Sequence, residues 1–269
     1  GDIMVVQWTL GALWCISLNA TLCEPLVRDH ATVAAIVAAL QRHVDNVTVA
    51  QRACGTIHCL AAIDGSSELL ARVDGIGTVV VAALRKHVVD ARVALDGCWA
   101  LCSLAANTAG KELLARDASA GAAVVAVLKQ HVDNLSVTNV ALNALRNISS
   151  EEAICAPLVC DHGAGAAIVA ALQRHADNVE VVRAACGTLR NLGEPDRSGT
   201  RERLARVDSI GVALVAALQR HASDAEVAAA GCQALAYLAA VEAGRALLAR
   251  DGSVGAAVVA MLKQHVDNA

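Results

Sequence analysis

Histidine recurs at positions 43, 87, 131, 175, 221 and 265, and imidazole is both a common metal ligand and a general base near neutral pH. A zinc site needs its nitrogens about 2.0–2.1 Å from the ion. Equivalent positions on stacked helices lie about 10 Å apart, so a row of single histidines does not converge on a metal. Each of the six has Leu at −3 and Val at −6 (Leu40 and Val37 for the first), a spacing that places it at the end of an amphipathic helix. There an imidazole interacts with the helix dipole and can bond the last carbonyls. The six are read as structural.

The ten cysteines offer thiol chemistry instead. Cys54, Cys98, Cys186 and Cys232 share one helical register beside Ala53, Gly97, Ala185 and Gly231, where a free thiol behaves as a small buried hydrophobe. The pairs Cys54/His58 and Cys98/Cys102 supply four zinc-ligand types at i, i+4. The first member of each points into the core, so the pairs do not meet. Cys160 beside Asp161 and His162 lacks a spacing that supplies a positioned base and an oxyanion site. No phosphate-binding Gly loop and no GxSxG elbow is present. The expectation is no enzymatic activity, no catalytic residue, no metal and no cofactor, with reduced thiols in a cytoplasmic or nuclear setting.

Composition excludes further classes. The net charge of −4 is modest and no basic block is present to hold nucleic acid. Charges or His interrupt every apolar run before about 18 residues, so no membrane span is expected. Gly1–Asp2 opens directly onto helix-like sequence without a signal-peptide pattern. Asn19, Asn46, Asn134 and Asn147 begin Asn-x-Ser/Thr triplets, too short a pattern to carry a glycosylation reading. With three Trp, one Tyr and no Phe, Ala, Val and Leu must fill the interior, which favours closely spaced helices.

The elements that must position these residues are written six times. Val137–Ile148 is predicted helical, with Ala141, Leu142, Leu145 and Ile148 on one face and Asn139, Asn143 and Asn147 stacked on the other. Copies of its apolar half run at 4–16, 48–60, 92–104, 180–192 and 226–238. A shorter helical patch follows each, for example 67–72 or 243–250. Next come a Gly expected just before the medium helix (77, 121, 165, 211, 255) and the medium helix ending in His. The reading is one array over 1–269: a partial repeat 1–32, repeats 33–76, 77–120, 121–164, 165–210 and 211–254, and a partial repeat 255–269. A longer period overlies it, since LCEPLVRDH (22–30) returns as ICAPLVCDH (154–162) and VVAVLKQHVDN (124–134) as VVAMLKQHVDN (258–268). Three units were duplicated as a block. The polar stretch 193–203 is the loop expected to protrude.

These residues resemble the armadillo repeat family over essentially the whole chain. The resemblance rests on the Gly, the Val-x-x-Leu of the medium helix and the Ala-x-x-x-Leu-x-Asn-Leu/Ile pattern, which stands here at 141–148 and 185–192. HEAT repeats lack the short third helix and the Asn and rank second. The resemblance implies an all-α, right-handed α-solenoid of about six three-helix repeats, because units that cannot close their apolar stripes alone must stack. It also implies a scaffold that holds an extended peptide on the long helices, with Asn side chains satisfying the ligand backbone. The expected peptide-binding residues are Trp99, Ser103, Asn139, Asn143, Arg146, Asn147, Arg183, Arg190 and Asn191. The arginines suggest an acidic or phosphorylated partner. The alternative is a spacer or self-assembly segment, associating head to tail through Val6, Trp8 and Leu10 at one end and Val258–Leu262 at the other.

Overall fold

A computed structural model describes residues 2–116, 119–194, 199–250 and 252–266, the Glu152 side chain excepted. Among them every regular element is a helix. Contacts divide the chain into two compact units, 1–131 and 132–269, each written as long, short and medium helices three times over. In the first unit the long helices are α1 (Ile3–Ser17), α4 (Val47–Ala61) and α7 (Ala91–Leu104). Its short helices are α2 (Ala20–Arg28), α5 (Ser66–Leu70) and α8 (Thr108–Ala115), and its medium helices α3 (His30–Arg42), α6 (Ile76–Lys86) and α9 (Ser119–Gln130). In the second unit α10 (Leu135–Ile148), α13 (Val179–Gly193) and α16 (Ala225–Ala239) are long. The helices α11 (Glu152–Cys160), α14 (Thr200–Ala205) and α17 (Glu242–Ala249) are short, and α12 (Ala164–Arg174), α15 (Ile210–Arg220) and α18 (Val254–Val266) are medium. The division at 131/132 coincides with the duplicated block of three.

Within each unit like packs on like: α1, α4 and α7 follow one another, as do α2, α5 and α8, and α3, α6 and α9. The second unit repeats this with α10, α13 and α16, with α11, α14 and α17, and with α12, α15 and α18. The Leu three before each His is the main medium-helix knob. Leu40, Leu84, Leu128, Leu172 and Leu218 are at most 2% exposed, and full burial of a Leu is worth about 1.5–3 kcal/mol. Small residues make its seat: a Cβ on Gly97 would lie 2.6 Å from a Leu84 methyl, and one on Gly231 2.8 Å from Leu218. Cys54, Cys98 and Cys186 are buried in the register expected, but Cys232 is half-exposed.

The long helices are started by side chains. Asn46, Asn134 and Asn178 each accept from the third amide of the following helix, and Asp90 and Asp224 do the same. Asn19 caps α2 likewise. Three of the four Asn-x-Ser/Thr triplets thus begin with helix caps, worth about 1 kcal/mol each.

The medium-helix glycines lie within the first turn, not before it: Gly77 and Gly211 are second residues of α6 and α15. Their role is close approach, since Cβ atoms at Gly77 and Gly165 would each come 2.9 Å from an apolar side chain, Leu114 or Val207, just ahead in the fold. The left-handed backbone falls two residues earlier, at Gly75, Gly163 and, with φ of 63°, Ser209.

The histidines differ from expectation in their partner. In five of six repeats Nε2 donates to a carbonyl in the turn of the preceding repeat, 43 or 45 residues back. These pairs are His87 with Val44, His131 with Val88, His175 with Val132, His221 with Ala176 and His265 with Ala222. A carbonyl only accepts, so Nε2 of each imidazole carries a proton. Ion pairs run alongside, Lys86 with Asp45, Arg174 with Asp133 and Arg220 with Asp177.

Other expectations meet the structure unevenly. Leu10 is 2% exposed instead of open; it lines the base of a groove shared with Ile36 and Ala39 of α3. Residues 195–198 of the expected protruding stretch and 267–269 lie outside the described residues. Beyond them Arg201 folds back, donating to the carbonyls of Gly193 and Glu194 and covering the Tyr237 ring at 4.9 Å. Among the described residues no single helix is long and apolar enough to cross a membrane, although three sharply bent helix pairs pass on length and composition together.

Candidate interaction surface

The side chains expected to bind a peptide fall on four registers of the long helices. One holds Cys59, Ser103 and Asn191, and in each unit it reaches back to the previous long helix. The Cys59 thiol is within bonding reach of the Trp14 and Ser17 side chains. Ser103 Oγ lies 3.0 Å from His58 Nδ1. Asn191 Nδ2 donates to the Arg146 carbonyl at 2.8 Å, and its Oδ1 accepts from Arg190. Asn191 is only 7% exposed. This register therefore fastens one long helix to the next.

A second register is what lies over that fastening. The residue just before it on one long helix rests upon a residue of the next. Trp14 covers Gly55, where a Cβ would be 2.7 Å from the indole. His58 stacks on Trp99. The Arg146 stem covers Gly187, with Cδ 2.8 Å from the Cβ position. Glycine is needed at 55 and 187 because a flat or extended side chain occupies the space of its missing Cβ.

In the first unit this makes an aromatic strip. Trp99 is 38% exposed although its face is held by His58. Burial holds His58 below the usual imidazole range, so the ring is neutral at pH 7. Nearby, burial pushes Asp96 up to about 6 despite a bond from Gln51. At the α1 edge Arg52 lies over the Trp8 ring at 5.0 Å and donates to the Gln7 carbonyl, while Gln7 Nε2 reaches the capping Asn46.

In the second unit Asn139, Asn143, Arg146 and Asn147 share a half-exposed face of α10. Asn143 Nδ2 donates to the Asn139 carbonyl and side-chain oxygen at 3.0 and 3.1 Å. Arg183 is differently placed: Asp224 at 2.6 Å, Glu180 at 3.0 Å and Glu226 at 3.3 Å surround its guanidinium. Three carboxylates around one cation leave that patch acidic. Arg190 is half-exposed beside Asn191.

Sequence reasoning chose Trp99 and Ser103 as binding residues and left out His58 and Trp14, which complete the aromatic strip, and Asp96 beside it. Their register was visible; that one helix's side chain lies upon the next helix's residue was not. Among the described residues no three His, Cys, Asp or Glu side chains come together as metal ligands. The chain matches no protein-family model and no curated protein.

Proposed function

We propose that this chain is a non-enzymatic interaction scaffold, cytoplasmic or nuclear, whose long helices hold an extended peptide. Each unit is then a run of armadillo-like repeats with a right-handed coil. The observation that carries the reading is Trp99, over a third exposed yet fixed by His58, which is itself fixed by Ser103. A large side chain held in place while open to solvent loses little entropy on contact, which is the character of a binding hot spot. In the second unit, taken by itself, Asn139 and Asn143 provide carboxamides for an extended backbone, and Arg146 and Arg190 provide the attraction for acidic or phosphorylated side chains. Arg183 is neutralised internally and contributes nothing to that preference.

Screening an unbiased peptide library against the purified chain tests this. The expected result is a set of extended sequences whose enrichment falls at least tenfold for Trp99→Ala, and a separate acidic set lost for Arg146→Glu. Equal enrichment on wild type and Trp99→Ala would refute the reading.

A further inference from the structure

We propose that the chain associates head to tail, the Val259/Leu262 face of α18 in one copy seating in the groove between α1 and α3 of a second. The knob is identified by its equivalents. The Val six before the His is at most 6% exposed at positions 37, 81, 125, 169 and 215, but 50% exposed at Val259. The Leu three before the His is at most 2% exposed in the five earlier repeats, but 64% exposed at Leu262. The sixth copy of one buried motif is thus the open one.

The receiving seat is identified in the same way. Leu84 rests on Gly97 of α7 and Leu218 on Gly231 of α16. The residue of α1 in that register is Thr9, and it lines an apolar groove of about 180 Å³ with Val5, Val6, Leu13, Ile36 and Ala39. One repeat further on, the corresponding Val49, Ala50, Ile57, Val80 and Ala83 are 0% exposed. A second copy is the occupant because its α18 carries, in the right order, the residues such a seat already receives inside each unit. Moreover α18 differs from α9 at only one position in VVAVLKQHVDN against VVAMLKQHVDN. A contact between unlike faces leaves every dimer with one free face of each kind, so further copies can add.

Sedimentation velocity of the 269-residue chain from micromolar to about 0.3 mM, the range of weak interfaces, tests the proposal. Wild type is expected to form concentration-dependent dimers and longer species. Thr9→Glu and Leu262→Glu, both at exposed positions, are each expected to weaken association at least tenfold while retaining helix content by circular dichroism. Mixed one to one, the variants still own one intact face each and are expected to form a dimer that grows no further. A wild type that stays monomeric, variants that associate like wild type, or a mixture that forms no dimer would each overturn the proposal.

Discussion

His58 on α4 and Trp99 on α7 are stacked with ring centroids 5.2 Å apart and planes inclined by 28°. Burial keeps the imidazole neutral, so the fold disfavours its protonation. The stability tied to it is complete above the unfolded imidazole value of about 6.5 and is lost as pH falls towards the lowered folded value. Protonated imidazole quenches indole emission, so tryptophan fluorescence is expected to drop with a midpoint below 6.5. His58→Gln is expected to abolish that step; a step that persists in the variant would place the quencher elsewhere.

Asp96 works in the opposite direction. Its carboxyl is raised to about 6 by burial, so above that pH the fold carries a poorly solvated charge. Asp96→Asn keeps the shape and a partner for Gln51, and is expected to stabilise by about 1–2 kcal/mol at pH 7, allowing for solvent screening. The gain should shrink as pH falls below 6 and vanish near the unfolded value of about 3.9. Urea titrations at pH 7 and pH 4 measure both ends.

Arg183 lies where three carboxylates meet, and its bond lowers the Asp224 pKa. Its Nε is 3.3 Å from Glu226 but without an aligned hydrogen bond, so the pairs to Asp224 and Glu180 do most of the work. Arg183→Ala is expected to cost about 1–2 kcal/mol, less at 0.5 M salt. The Asp224 contribution is present above about pH 4 and lost as pH falls through its lowered value. An unchanged urea midpoint at pH 7 would contradict this.

Gly110 and Gly244 hold matching places in α8 and α17. A Cβ there would lie 1.7 Å from the Leu104 carbonyl oxygen and 1.8 Å from that of Leu238. Backbone cannot yield as a side chain does, so Gly110→Ala and Gly244→Ala are each expected to cost over about 3 kcal/mol. Gly255→Ala meets nothing within 4 Å and should instead stabilise α18 by about 0.5–1 kcal/mol. Thermal melts of the three variants check the contrast.

Ser209 carries a φ of 63° where Gly75 and Gly163 stand in the matching turns. Ser209→Gly removes strain of about 1 kcal/mol or more against an entropic cost of about 0.5–1 kcal/mol. A small net rise in the melting temperature is expected, and a fall would refute the strain.

The helices are legible because periodicity needs no partner: the spacing predicts Val137–Ile148 and Leu135–Ile148 is observed. The medium-helix glycines were recognised but misplaced, because spacing shows that a position must be small and not which neighbour presses on it. Gly110 and Gly244 went unremarked although NTAGKELLARD and VEAGRALLARD align them. Their constraint is a carbonyl six residues upstream, visible only once the chain has turned back. At the interaction surface, residue types pointed to Trp99 and the asparagines. The commitments of Asn191 and Arg183 depend on groups about one repeat away, the Arg146 carbonyl and the Asp224 carboxylate.

Because each imidazole from His87 onward grips the turn one period behind it, the bond pattern carries no absolute address. Excising residues 44–87 would join His43 to Val88, and His131 would still find the carbonyl it holds in the intact chain. Length can therefore change in whole periods without orphaning a donor. The repeat ending at His221 is two residues longer and still bonds Ala176, so a repeat can also lengthen between its turns while the grip is kept.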